Sequence, residues 1–236
     1  MTTRHVRRWA RARVRRQLAG GLAWRRWLRQ RVWVARVRLQ ARASGADLDI
    51  GVADTAVVGP HVQVRCRPGT SNRVTIGEGA RVDDDVLLQL DGGTVEIGPE
   101  AHLRRGVVLN VAGRLELHHR NILSWGTTVH CAERVVLEAM ASASEYVTVT
   151  DSRHFHTAPD AFFYHHTESD PVRVGRNTWL ASKSTVLMGS DIGDCSVLGA
   201  HSVFQGSAPD DSLLVGTPAR RVRAAARDAA SEVVAR

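Results

Sequence analysis

The sequence predicts an all-β fold, a parallel β-helix of about seven coils with a helical segment at each end. The main observation is a repeat of six residues that runs from Val174 without a gap. Its large apolar positions are Val174, Leu180, Val186, Ile192, Leu198 and Phe204, and small residues stand four positions later at Thr178, Ser184, Ser190, Ser196 and Ser202. Six is a multiple of the strand period of two, whereas six helical residues rotate by about 240°. The repeat therefore favours one short strand per hexad, stacked as a solenoid.

Three consecutive hexads make one predicted coil of a triangular prism. Earlier groups of three hexads, separated by gaps, begin at Val52, Ile76, Ile97, Leu117 and Leu137. Successive groups start 24, 21, 20, 20, 37 and 18 residues apart, and 18 residues are three hexads. The residues beyond 18 in each interval always fall between the third hexad of one group and the first hexad of the next. All insertions are therefore predicted at one corner of the prism. The longest insertion covers most of 151–173, and long solenoid loops are often functional.

The positive charge is concentrated ahead of the coils. Residues 1–46 contain fourteen arginines and no Asp or Glu, so the rest of the chain, within a total of +8, carries −6. This segment also holds four of the six tryptophans. Gly20-Gly21 is predicted to separate two helices, because paired glycines interrupt helices. Apolar residues recur at helical spacing in the second of them, at Leu28, Val32, Ala35 and Leu39.

Two interpretations of the basic segment, residues 4–42, remain open at this point. It could lie on an anionic membrane surface, with apolar side chains inserted and arginines at the headgroups. It could instead be a helical pair packed on the coils or between subunits. Binding of nucleic acid is disfavoured, because the sequence contains no base-reading module. The predicted organisation is a helical extension at 1–46, a β-helix domain at 47–223 and a short Ala-rich helix at 224–236.

The cysteines and the hydropathy of the sequence indicate the cellular compartment of the protein. Cys66, Cys131 and Cys195 are odd in number and widely spaced, which argues against a disulfide framework or a zinc site and fits a reducing compartment. No apolar stretch approaches the ~20 residues that span a bilayer. The sequence therefore predicts a cytoplasmic protein, peripheral at the inner face of the membrane if the basic segment docks there, and no bound metal.

Three motifs carry a resemblance to a known family. They are VRVGRNTWLAS at 172–182, IGDCSVLGAHSV at 192–203 and the closing VGTPARRVR at 215–223. The chain resembles the hexapeptide-repeat acyltransferases, which are left-handed parallel β-helices, and is most similar to the galactoside, maltose and polysaccharide O-acetyltransferases. The specific similarity covers about 150–223, and the weaker coil pattern covers 52–149. The left-handed sense of the coil is implied by this resemblance and not by the spacing.

The resemblance implies a function. Such enzymes transfer an acetyl group from acetyl-CoA directly to an acceptor, here expected to be a hydroxyl of a sugar or glycan, and they are typically homotrimers. Two alternatives remain: N-acetylation of an amino sugar, and a non-catalytic β-helix scaffold or membrane-docked assembly factor.

The resemblance also implies the site residues. His154 takes the place of the family's general base, and His156 is the alternative if the loop register differs. Asp151 could orient the imidazole or cap a turn of its own loop. The coenzyme is expected to contact the positions that match the family's motif, which are Trp179, Ser182, Ala200, Arg220 and Arg223.

Overall fold

The hexad positions lie on the strands of three parallel sheets that form the faces of a prism. The computed structural model describes residue 24 and residues 27–154 and 167–224. Strands are numbered in chain order. Sheet A contains β1 (Asp47–Val52), β4 (Ser71–Ile76), β7 (Thr94–Ile97), β10 (Arg114–Leu117), β13 (Arg134–Leu137), β18 (Val172–Val174), β21 (Asp191–Ile192) and β24 (Ser207–Ala208).

The chain passes from sheet A to sheets B and C in each of seven complete coils, and the last turn ends in sheet B. Sheet B contains β2 (Val57–Val58), β5 (Arg81–Val82), β8 (His102–Leu103), β11 (Ile122–Leu123), β14 (Ser142–Ala143), β19 (Trp179–Leu180), β22 (Val197–Leu198), β25 (Ser212–Gly216) and β26 (Ala219–Ala224). Sheet C contains β3 (Gln63–Cys66), β6 (Leu87–Leu90), β9 (Val108–Val111), β12 (Thr128–Cys131), β15 (Thr148–Thr150), β20 (Thr185–Val186) and β23 (Val203–Phe204). The predicted left-handed parallel β-helix of about seven coils is confirmed.

The apolar hexad residues form the core. Every apolar position named by the repeat from Val174 is buried, and in the five earlier groups all three hexad positions are buried except Val52 and Val58, which are partly buried. Each of these side chains lies beside its counterpart in the next coil, because the parallel strands pair in register. Complete burial of one such side chain contributes about 1.5–3 kcal/mol.

The small hexad residues are buried where the chain turns. The hydroxyl of Thr178 donates to the carbonyl of Gly193 at 2.9 Å, and the hydroxyl of Ser202 accepts the N–H of Gly216 at 2.9 Å. A larger side chain would not fit, and an apolar one would leave these main-chain groups without partners. The second half of the repeat thus satisfies main-chain groups at the corners, except at Ser184, whose buried hydroxyl has no partner among the described residues.

A helix closes the first end of the prism. Helix α1 covers residues 27–43, and Trp24 is also helical. The indole N–H of Trp33 donates to the carbonyl of Val62 at 3.0 Å, and the side-chain amide of Gln30 donates to the carbonyl of Ala53 at 2.9 Å. The helix ends at a Schellman motif, in which Ala46 N–H bonds to Ala41 O and the left-handed residue is Gly45, with a φ of +78°.

Part of the predicted end structure lies outside the described residues. This applies to the first of the two predicted basic helices, to its Gly20-Gly21 break, and to residues 225–236 of the predicted C-terminal helix. Ala224, the predicted first residue of that helix, is the last residue of β26, which pairs antiparallel with β25 at the edge of sheet B.

A pair of neighbouring residues on β11 tests the inward and outward alternation. Leu123→Ala should lower the free energy of unfolding by about 2–5 kcal/mol, because it opens a cavity at the centre of the stack. Ile122→Ala, on the exposed side of the same strand, should change it by less than about 1 kcal/mol. Urea unfolding measures both. Equal losses would show that the two side chains do not point to opposite faces.

Candidate active site

The long insertion leaves the prism between sheets C and A and begins as a hairpin. Strand β16 (Ser152–His154) pairs antiparallel with β17 (Thr167–Ser169). The guanidinium of Arg153 bonds to the carboxylate of Glu168 at 2.8 Å across the hairpin. The hydroxyl of Ser169 donates to Glu133 of the preceding coil at 2.8 Å. The described base of the loop is therefore fixed to the solenoid.

Asp151 is buried at this base and binds the backbone of the preceding coil. Its Oδ1 accepts the N–H of Ala132 at 2.7 Å, and its Oδ2 accepts those of Glu133 and Arg134 at 2.8 Å. Its main-chain carbonyl accepts the N–H of Asp170 at 2.9 Å, which joins the two ends of the loop. The carboxylate thus caps a turn of a neighbouring coil and positions the hairpin. Its predicted role in orienting the His154 imidazole stays a prediction.

The predicted base lies at the far end of the first hairpin strand. His154 is the last residue of β16, pairs with Thr167 and is exposed at the edge of the prism. The alternative base, His156, lies outside the described residues, so the structure does not compare the two.

Next to the loop base, the outer face of sheet C carries polar side chains that the sequence analysis did not assign. Asn110, His130 and Thr150 are side by side in β9, β12 and β15. The Nδ2 of Asn110 lies 3.3 Å from the Nδ1 of His130. Partial burial lowers the pKa of His130, against the opposing effect of the charge on Asp151. A neutral ring accepts the amide N–H of Asn110. Their equal spacing of 20 residues, which matches the coil length, was the signal that could have grouped them.

The predicted coenzyme residues lie on the opposite edge of sheet C, at the corner with sheet B. Ser182 is in the turn between β19 and β20, and Ala200 is in the equivalent turn of the next coil. Within the described part of the chain, neither of their backbone N–H groups donates a hydrogen bond. Both can therefore bind an external acceptor, such as a carbonyl of a pantetheine arm. The Trp179 ring is half-exposed beside them, and its N–H donates to Ser144 Oγ at 2.9 Å.

Glu145 stands at the same corner and was missed in the sequence. It accepts hydrogen bonds from the hydroxyls of Ser182 at 2.8 Å and Ser124 at 3.1 Å. Hydrogen bonds from its own backbone N–H and from these two hydroxyls lower the pKa of Glu145, so it is ionised at neutral pH. It occupies the hexad turn one coil before Ser182, a position that the coil alignment could have identified.

The two predicted arginines follow this corner at the end of the prism. Arg220 pairs with Val215 on β25, directly beyond the turn that contains Ala200, and Arg223 pairs with Leu213. The Arg220 side chain is exposed. The corner thus leads from Trp179 and Ser182 through Ala200 to Arg220. The predicted catalytic and coenzyme residues of one chain lie on the two opposite edges of sheet C.

Curated relatives of the chain carry names that assign them provisionally to the acetyltransferases. A Mycobacterium tuberculosis protein is 49% identical over 53 residues, 22% of this chain and 18% of that protein. A Staphylococcus aureus (strain N315) protein is 40% identical over 85 residues, 34% of this chain and 43% of that protein. The Escherichia coli (strain K12) protein WbbJ, assigned to O-acetyl transfer in lipopolysaccharide biosynthesis, is 41% identical over 56 residues, 24% of this chain and 29% of that protein. The chain thus spans less than half of each relative. No protein-family profile matches it.

Solved structures show the same fold at low identity. The polysialic acid O-acetyltransferase OatWY superposes with a TM-score of 0.58 at 16% identity, over 75% of this chain and 85% of that one. A variant of AntD, an N-acyltransferase from Bacillus cereus in complex with dTDP and coenzyme A, gives 0.52 at 18% identity, over 84% of this chain and 92% of that one. The predicted resemblance to hexapeptide-repeat acyltransferases is thereby confirmed in fold and in local sequence. The chain is a left-handed β-helix related to acetyltransferases.

Replacement of the buried carboxylate at the loop base tests its positioning role. Asp151→Ala should lower the free energy of unfolding by about 2 kcal/mol, because three N–H groups lose a charged acceptor. Asp170→Ala removes an exposed acid from the other end of the same loop and should have an effect below about 1 kcal/mol. Denaturant unfolding compares the two. A loss in Asp151→Ala no larger than in the control would contradict the capping role.

Proposed function

We propose that this protein is an acetyl-CoA-dependent O-acetyltransferase that modifies a hydroxyl of a sugar or glycan, with His154 as general base. The observation that carries the proposal is the position of the one long insertion. It presents a histidine at one edge of sheet C, in a chain whose curated relatives are named as acetyltransferases. The family resemblance of the motifs that follow the loop supports the same assignment.

The chemistry requires a base, because a sugar hydroxyl is a poor nucleophile until its proton leaves. An imidazole titrates near pH ~6.5 and is largely unprotonated at neutral pH. His154 removes the hydroxyl proton while the oxygen attacks the thioester carbonyl carbon. A backbone N–H stabilises the resulting oxyanion. The carbon–sulfur bond then breaks, and the coenzyme thiolate receives the proton from the His154 imidazolium as the ester is released.

The corner between sheets B and C is the proposed track of the coenzyme. The free N–H groups of Ser182 and Ala200 bind the pantetheine amides, and Trp179 covers the arm. The charge on Glu145 is compatible with a neutral pantetheine but not with phosphates, so the nucleotide lies further along. Arg220 and Arg223 provide the positive charge there. Asn110 and His130 on the outer face of sheet C are proposed to contact the acceptor.

A homotrimer is part of this proposal, and the same geometry supports it. The base and the coenzyme track lie on opposite edges of one sheet, so a neighbouring prism placed against sheet C would bring a base of one chain to the coenzyme of the next. This arrangement agrees with the trimer that the family resemblance implies.

The base is tested by substitution. His154→Ala should reduce acetyl transfer by about 10²–10⁴-fold, because general-base catalysis is lost while the acceptor and coenzyme contacts remain. Calorimetry should show unchanged binding of acetyl-CoA. His61→Ala, an exposed histidine near α1, is the matched control. Full activity of His154→Ala with loss in His156→Ala would transfer the role to His156. Absence of saturable acetyl-CoA binding in the unmodified protein would overturn the enzyme proposal.

The coenzyme track is tested at Ala200. Ala200→Glu places a charged side chain on the exposed corner and should raise the Kd for coenzyme A more than about tenfold through steric and electrostatic conflict. Met140→Glu makes the same change at an exposed turn between sheets A and B and should leave the Kd unchanged. Equal affinities in the two variants would exclude this corner as the track.

A second acceptor chemistry shares the same base. The fold is also that of an N-acyltransferase, AntD, and a neutral amine needs the same removal of a proton during attack. Radiolabelled acetyl-CoA with a panel of sugars, amino sugars and lipid-linked glycans distinguishes the two. Labelling of acceptors that have hydroxyls but no amine supports O-acetylation. Label found only in an amide bond would instead identify the protein as an N-acetyltransferase.

A further inference from the structure

Helix α1 presents two apolar faces, and only one of them packs on the solenoid. Gln30, Trp33, Val37 and Ala41 are buried against the first coil, at a spacing that places them on one side of the helix. This face closes the prism, since Gln30 and Trp33 bond to carbonyls at successive corners of that coil. The prediction that the basic segment packs on the coils therefore holds for this side of α1.

The other face carries the stripe that the sequence analysis identified, and it points into solvent. Leu28 is 41%, Val32 60% and Leu39 69% exposed, and Ala35 is exposed between them. Trp24, four positions before Leu28 in the sequence, is 60% exposed. At about 100° per residue these positions centre on the side of the helix opposite Trp33. An exposed apolar stripe of this length on a helix indicates an interaction surface.

Arginines border the stripe on both sides. Arg31, Arg38 and Arg42 flank one edge, and Arg29 and Arg36 flank the other, all with exposed residues. Among the described residues, Asp54 is the only acid that forms an ion pair with this row, with its carboxylate 3.8 Å from the guanidinium of Arg31. Arg36 and Arg38 each also donate one hydrogen bond to a carbonyl of the first coil, at 3.0 Å and 2.8 Å, which leaves their positive charge uncompensated. Residues 1–46 contribute no acidic side chain at all. The surface therefore combines an exposed stripe of apolar side chains with a border of positively charged ones.

We infer that this face of α1, formed by Trp24, Leu28, Val32, Ala35, Leu39 and the flanking arginines, docks on an anionic membrane surface. Leucine and tryptophan side chains enter the headgroup region while arginines bind lipid phosphates, which is the arrangement of interfacial amphipathic helices. A nucleic acid would use the arginines but would leave the apolar stripe in water. No helix among the described residues is long and apolar enough to cross a bilayer. Because α1 lies across the end of the prism, docking would point the solenoid away from the membrane.

Vesicle co-sedimentation with the full-length chain tests the inference. The unmodified protein should bind vesicles that contain phosphatidylglycerol and should bind pure phosphatidylcholine vesicles at least about tenfold more weakly, because the arginines need anionic headgroups. Raising the salt concentration should weaken binding by screening. The double variant Leu28→Ser/Leu39→Ser should reduce the partition coefficient at least about tenfold, since two inserted side chains are lost.

The controls separate the membrane from the other occupants of the stripe. Val222→Ser changes an exposed apolar residue at the opposite end of the prism and should bind vesicles as the unmodified protein does. A double variant that binds vesicles undiminished, or an unmodified protein that ignores anionic vesicles, overturns the inference. A lowered free energy of unfolding in the double variant would also overturn the inference, because it would assign the stripe to packing within the chain, against residues 1–23. A changed oligomeric state would overturn it by assigning the stripe to a second copy of the chain. Acetyl transfer to a soluble acceptor is independent of this surface and should be unchanged.

Discussion

The parallel pairing of the solenoid strands with their counterparts one coil away is the constraint on which the rest of the structure depends. Each inward side chain must lie beside the same position of the neighbouring coil, so residues can be added only where the chain leaves one sheet before entering the next. All insertions in this protein use the corner between sheets C and A. The loop that carries His154 therefore leaves the prism at a fixed edge. Its position along the prism axis is set by the coil that precedes it.

Sheet C separates the two halves of the proposed chemistry. One edge carries the hairpin with His154, held by Asp151, and the other carries the free N–H groups of Ser182 and Ala200. The polar face between them bears Asn110 and His130. This division explains why the proposed reaction needs a second prism: one chain supplies a base and a coenzyme track that do not face each other across an enclosed cavity.

The sequence was informative wherever a contact repeats and was silent where a contact occurs once. The hexads identified the core because each inward residue has the same environment in every coil, and the interval of 37 residues located the loop. The N–H groups that donate to the Asp151 carboxylate could not be predicted, because they belong to a turn 17–19 residues earlier that becomes adjacent only after coiling. The helical stripe at Leu28 and Leu39 was recognised, but nothing in its spacing revealed that Trp33 and Val37 would be the buried face instead.

The caps at the two ends have a consequence for the assembly of the chain. A solenoid of parallel strands exposes unpaired main-chain groups only at its first and last coils, and these edges invite end-to-end addition of further molecules. Here α1 covers the first coil with side-chain donors to Ala53 and Val62, and the antiparallel β26 ends sheet B by reversing direction. A parallel strand from another molecule therefore finds no matching partner at the last strand of sheet B. The same features that border the proposed membrane face and the coenzyme track thus also disfavour end-to-end addition of another solenoid at the first coil and at sheet B.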